Sequence, residues 1–172
     1  NDSPHDVTLG SNGGMTPEDL VEIELIKQLK YKYQRLLDLH EFDEMRTVFT
    51  PDATARYSDG HYSFDDVEGI IAFLKESMGT DQFLSSHSVH HPEIELHGDG
   101  TATGIWRLED QVLLLDHGLN LRGAAHYHDR YVKTDDGWRI CETGYVRIFE
   151  EMHPRADLPG VNLSANYFTN DA

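Results

Sequence analysis

Apolar positions follow two rhythms along this chain. Up to about residue 79 they recur every three or four residues, and from Ser85 onward they alternate with polar ones. The stretch "TPED" supplies a helix start: Thr16 as N-cap, Pro17 at the first helical position and Asp19 three residues after the cap. The helix is expected to run to about His40, with Leu25, Leu29, Tyr33 and Leu36/Leu37 forming one buried stripe. "EFDEMRTVF" predicts a second, short helix closed by Pro51. "ATARY" predicts a strand with "SDGH" as its turn, and "DDVEGIIAFLKESMG" a third helix ending near Gly79.

Beyond Ser85 the alternating segments "SHSVHHPEIEL", "TATGIWRLEDQVLLL", "LRGAAHYHDRYVKT" and "GWRICETGYVRIF" are separated by the turns "HGDG", "DHGLN" and "DDG". Helices followed by long antiparallel hairpins make an α+β domain over residues 15–150. Residues 1–14 are polar and Gly-rich and read as a flexible lead, with Met15 a natural start. Residues 151–172, with two prolines and no period, read as a tail that packs on a surface or a neighbour. The strand "QVLLLD" places Val112 and Leu114 on one side and Leu113 and Leu115 on the other, which predicts burial on both faces and hence a homo-oligomer.

Composition narrows the partners. At 172 residues the chain is long enough for one core that buries about 70% of the unfolded surface. With 31 acidic and 14 basic residues the formal charge is −17, which argues against nucleic acid and anionic membranes. A single cysteine, Cys141, excludes a disulfide framework and a multi-thiolate zinc site. The chain shows no membrane-length apolar run and no signal-peptide pattern, so a cytoplasmic protein is expected.

The chemistry-bearing stretch is "SSHSVHHPEIELHGDG", residues 85–100, with three histidines in five positions. On a strand, His87, Val89 and His91 share one face while Ser88 and His90 share the other. Pro92 and the alternating "EIEL" argue against a helix, so the His87/His91 spacing is not the helical zinc arrangement. A second pair, His126 and His128 in "HYH", shares a strand face and could join His87 in a three-histidine metal site. Ala102, Gly104, Trp106, Leu108 and Asp110 form one face of another strand, and Asp110 ends it either at the rim or in a pocket. Trp138 reads as structural. No phosphate loop, nucleophile elbow or dinucleotide fingerprint is present, so no organic cofactor is expected.

The segments "YKYQRLLDLHEFDEMRTVFTPDATARY", "SSHSVHHPEIELHGDGTATGIWRLED" and "YHDRYVKTDDGWRI" resemble the cone-shaped nuclear transport factor 2-like fold, and within it the SnoaL-like branch. That branch contains polyketide cyclases, scytalone dehydratase, bile-acid dehydratase and hexachlorocyclohexane dehydrochlorinase. The resemblance spans residues 18–150 and implies an α+β barrel, N-terminal helices packed on a curved antiparallel sheet.

It also implies a site. The family's catalytic aspartate falls on Asp38 and its pocket histidine on His87, which would form a dyad with His87 as base and Asp38 as its orienter. The family pattern puts Tyr127 on the pocket side, His126 and His128 on the other, and therefore implies no metal. Tyr33, Tyr57 and Tyr127 would line the cone, Tyr33 at the five-residue spacing before Asp38 found in bile-acid dehydratase-like members. Trp106 and Asp110 would add to the substrate-binding wall. His91 stands where many relatives carry asparagine and would be a second proton carrier, a substrate ligand or a filler. Arg147 would bind a substrate carboxylate, neutralise Asp110, or lie on the surface.

The expected activity is a cofactor-independent lyase or isomerase, dehydration before isomerisation or cyclisation, acting on an apolar oxygenated ring compound such as a steroid or polyketide. The rival is a non-catalytic binding or assembly module resembling the small subunit of ring-hydroxylating dioxygenases, which shares the fold.

Overall fold

The computed structural model describes residues 14–169. Residues 1–13 of the expected lead lie outside the described residues. Helix α1 spans Pro17–Asp38 and begins with the anticipated capping box: Thr16 Oγ1 accepts from the Asp19 N–H, and Asp19 Oδ2 accepts from the Thr16 N–H. Its buried face is Ile26, Lys30, Tyr33, Gln34, Leu36 and Leu37. The expected stripe is thus displaced, and Leu25 is exposed. The reason is Lys30, whose buried ammonium meets Asp129 of the sheet, an ion pair that hydrophobic periodicity does not register.

Helix α2, Phe42–Met45, runs into a 3₁₀ turn at Arg46–Val48. Pro51 does not close this helix. It lies inside strand β1, Phe49–Tyr57, where the pairing register shifts between Phe49 and Thr54 and no ladder N–H is required of a proline. Strand β2, Tyr62–Phe64, and helix α3, Val67–Met78 with Asp66 as N-cap, complete the first half.

Four long strands follow: β3 Phe83–Leu96, β4 Thr101–Leu114, β5 Leu119–Thr134 and β6 Gly137–Pro154. The sheet order is β2-β1-β6-β5-β4-β3, antiparallel throughout except for the parallel β1–β6 pair. The expected α+β class and helix-on-sheet packing are therefore present. The expected barrel is a curled mixed sheet, with β2 and β3 as its edges. Register shifts at His90/Glu93 and at Ala124/Ala125 and Arg130/Tyr131 mark bulges, which bend and twist long strands.

The concave face and the three helices share one core, in which Ile26, Leu36, Met45, Ile70, Trp106, Leu108, Tyr131 and Ile140 are essentially inaccessible. Trp138 is buried with its Nε1–H donating to Glu22 at 2.7 Å. The tail boundary moves: β6 continues through Pro154, past residue 151. Beyond it the chain docks, with Asn166 Nδ2 donating to Asp81 O at 2.9 Å and Phe168 stacking on His40 at 4.0 Å. No helix among the described residues is long and apolar enough to cross a membrane.

Candidate active site

A cavity of about 390 Å³ opens between the concave sheet face, α1 and α3. Leu37, Leu74, Met78, Phe83, Leu108 and Val112 give it an apolar wall. Alternation along β4 aims Leu108, Asp110, Val112 and Leu114 inward, and the β3–β4 register sets His87 directly opposite Asp110.

His87 meets Asp38 where α1 ends against β3. The ring Nδ1 lies 2.6 Å from Asp38 Oδ1, the His87 backbone N–H donates to Asp38 Oδ2 at 2.9 Å, and the Ser85 hydroxyl donates to Oδ1 at 2.8 Å. Burial is the largest influence on this carboxyl and raises its pKa. The His87 side-chain hydrogen bond, its charge, its backbone N–H and Ser85 together outweigh that and hold it below the ordinary value. Asp38 is thus a carboxylate near neutral pH, an acceptor for Nδ1–H. It thereby leaves the lone pair of a neutral imidazole on Nε2. His87 lines the cavity, whereas Asp38 stands behind it and borders a shallow side cleft with Gln34, Arg35 and His90.

Five phenols line the same cavity, Tyr62 among them. Tyr33 and Tyr57 share a hydrogen bond at 3.2 Å, Tyr145 pairs with the Ser58 hydroxyl at 3.0 Å, and Tyr127 packs edge-on against both Tyr33 and Tyr145. Burial pushes Tyr33, Tyr57 and Tyr127 up from the ordinary phenol value, so these hydroxyls stay protonated donors. Asp110 is buried in the cavity and forms a two-pronged pair with Arg147, whose Nε also lies 3.0 Å from Glu150 Oε2. Burial alone would lower the pKa of the Arg147 guanidinium, and Asp110 raises it above its ordinary value instead. Arg147 is thus paired with Asp110 and not left on the surface, and it also lines the cavity.

Two expected site residues lie elsewhere. His91 does not share the His87 face. The bulge at His90/Glu93, with His91 at φ 48° and Pro92 unable to donate to the ladder, inverts the alternation, so Ile94 and Leu96 turn inward. His91 instead lines an outer groove with Glu93, Arg107, Glu109 and His126. Trp106 is a core residue rather than a cavity wall: it is fully buried, and its Nε1–H donates to the Tyr131 hydroxyl at 2.9 Å. His128 borders a separate groove with Arg56 and Glu142. Among the described residues no three His, Cys, Asp or Glu side chains cluster as metal ligands.

Ser85, Tyr145, Ser58 and Glu150 were not foreseen. Ser85 and Tyr145 each lie two residues before a candidate, His87 and Arg147, on the same strand, and the period of two was the signal for both. Ser58 follows β1 with a positive φ, and Glu150 reaches Arg147 across a register shift, so neither had a periodic signature.

A family model for the SnoaL-like domain matches residues 18–144. The chain belongs to the SnoaL-like family. An uncharacterized protein of Mycobacterium tuberculosis is 28% identical over 132 residues, covering 74% of this chain and 86% of the relative. Among solved structures, a candidate scytalone dehydratase of Novosphingobium aromaticivorans aligns with a TM-score of 0.74 at 20% identity, covering 80% of this chain and 91% of that one. A hexachlorocyclohexane dehydrochlorinase LinA-type3 of Novosphingobium barchaimii aligns with a TM-score of 0.72 at 14% identity, covering 85% and 96%. At these identities the two structures share the fold of this SnoaL-like chain.

Proposed function

We propose that this SnoaL-like protein is a cofactor-independent lyase or isomerase, with dehydration of an apolar, oxygenated ring compound of steroid or polyketide type as its reaction. The observation that carries the reading is the 2.6 Å contact between Asp38 and His87 at the wall of a mainly apolar cavity. A scaffold has no use for an ionised, partly buried dyad, and desolvating it costs stability. The similar folds of a candidate dehydratase and a dehydrochlorinase, both named for eliminations, support the same class.

In this mechanism His87 Nε2 removes a proton from carbon next to a carbonyl, and the C–H electron pair moves into an enolate. Asp38 holds the ring's orientation and stabilises the imidazolium. The phenols Tyr33, Tyr57 and Tyr127 donate to the oxygen that gains charge, since Arg147 is committed to Asp110. Collapse of the enolate expels the β-hydroxyl, which takes the abstracted proton back from the His87 imidazolium and leaves as water. Return of the proton to a different carbon would make the same site an isomerase.

The test is proton exchange in D₂O. Wild type and His87→Gln are incubated with a panel of cyclic ketones and β-hydroxyketones, and deuterium at the α-carbon and loss of water are read by mass spectrometry. Wild type should exchange or eliminate with at least one compound, and His87→Gln should be slower by about 10²–10⁴-fold. A wild type that binds panel compounds and moves no proton is a binding module. The exposed apolar side chains Ile105, Val146 and Ile148 further support a homo-oligomer, dimer or trimer. Light scattering at micromolar concentration should show more than a monomer, and a monomer would contradict it.

A further inference from the structure

Beneath the phenols lies a cation that the mechanism above does not use. The Lys30 side chain is fully buried, with Nζ 2.8 Å from Asp129 Oδ2, itself inaccessible. Asp129 also accepts from the Tyr131 hydroxyl at 2.7 Å and from the Thr143 hydroxyl at 2.7 Å. Burial is the largest influence on Lys30 and lowers its pKa, while the Asp129 carboxylate 2.8 Å away opposes it and favours the ammonium. Buried ion pairs add little net stability over an apolar pair of equal volume, because desolvation offsets the Coulomb gain. Where the pair points is therefore informative.

The ammonium's other neighbours are two ring faces. Nζ lies 3.5 Å from the Tyr127 ring centroid and 4.6 Å from that of Tyr33. Both rings line the cavity, while Lys30 does not. The ion pair is oriented, its positive end on the rings and its negative end behind. A desolvated cation on an aromatic face is attracted to the ring's electron density and strengthens as that density rises. A phenol that begins to release its proton to an acceptor gains such density, so the cation makes the hydroxyl a better donor. Tyr33 already shares its hydroxyl with Tyr57, and Tyr127 lies closer to the charge.

We propose that Lys30 is a positioning residue that acts through Tyr127, its charge on the ring face strengthening the Tyr127 hydroxyl as donor to an oxygen that becomes negative in the cavity. This rests on the reading of the cavity as a site for oxygenated compounds that pass through an enolate. It extends the site one layer beneath its wall, to a lysine and an aspartate that do not line the cavity.

The experiment uses 4-nitrophenol as probe, because its neutral and ionised forms have different absorbance and nearly the same shape. Affinities for both forms are measured for wild type, for Lys30→Met/Asp129→Asn, which removes both charges with little change in volume or net charge, for Tyr127→Phe, and for the combination. The preference for the ionised over the neutral form should fall about tenfold in the double replacement. It should fall similarly in Tyr127→Phe, and no further in the combination. A packing role alone would weaken both forms equally and leave the preference unchanged, which would overturn the proposal. So would an unchanged preference in Tyr127→Phe, a variant whose folding does not depend on the buried pair, or a wild type that binds neither form. No proton is abstracted in these titrations. A failure of His87 chemistry in D₂O would sink the lyase reading and leave this binding result standing.

Discussion

Asp110 and Arg147 meet in the cavity through two parallel hydrogen bonds, Nη1 on Oδ1 at 2.7 Å and Nη2 on Oδ2 at 2.8 Å. Their side chains are 3% and 17% exposed, so the fork is largely desolvated. Gly123 on the neighbouring strand leaves the space it needs: a Cβ there would lie 2.7 Å from Arg147 Nη1 and 3.0 Å from Asp110 Oδ1. Gly123→Ala should therefore force the fork apart and cost about 1–3 kcal/mol, as overpacking does. Asp110→Ala should cost about 3 kcal/mol, the lower end for a broken buried pair, because Arg147 retains some water. Urea denaturation measures both. An Asp110→Ala protein as stable as wild type would mean that the pair does not hold the wall.

Asp38 predicts an acid limb of stability. Its folded pKa is depressed below the ordinary value of 3.8, so its contribution is present above that value and lost as pH falls through the folded one. The stability gap between wild type and Asp38→Asn should close as pH falls below about pH 4. Denaturation at pH steps reads the gap. A gap that persists undiminished below about pH 3 would contradict the assignment of His87 and Ser85 as donors to a carboxylate.

His40 predicts a second pH effect, in the tail. Its ring is stacked between Phe42, at 5.4 Å and 14°, and Phe168, at 4.0 Å and 8°, with Nε2 buried and without a hydrogen-bond partner. Burial holds its pKa below the ordinary 6.5, with Asp38 pulling the other way. A base with a depressed folded pKa stabilises above its unfolded value, and that contribution is lost as pH falls. The stability difference between wild type and Phe168→Ala should narrow between about pH 7 and pH 5.5. A difference that holds constant over that interval would show that the stack does not sense the imidazole charge.

What the sequence disclosed depended on how local the cause was. Thr16, Pro17 and Asp19 announced α1 because a capping box closes within four residues. Strand alternation grouped Leu108 and Asp110 on one face because the pleat has a strict period of two, whereas Tyr127 came to the pocket side through the family resemblance. That same rule misplaced His91, since one bulge residue beside Pro92 shifts the phase and nothing in "HHP" measures the partner strand. Asp38 and His87 were brought together by family resemblance, being 49 positions apart with no periodic link. Lys30 was invisible: it reads as a surface lysine until Asp129, 99 residues later, is folded beneath it. Trp106 looked like a wall because its face is inward, but depth along the strand separates core from cavity, and alternation carries no depth.

The central claim is that Asp38 and His87 act as one unit in proton abstraction, and a double-mutant cycle on the turnover found in the D₂O panel tests it most directly. Wild type, Asp38→Asn, His87→Gln and the double variant are compared for kcat with the same compound. His87→Gln should lose about 10²–10⁴-fold. Asp38→Asn should lose a large part of that with a smaller change in KM, and the double variant should be little slower than His87→Gln alone. Penalties that multiply in the double variant would show two residues working independently and contradict the dyad.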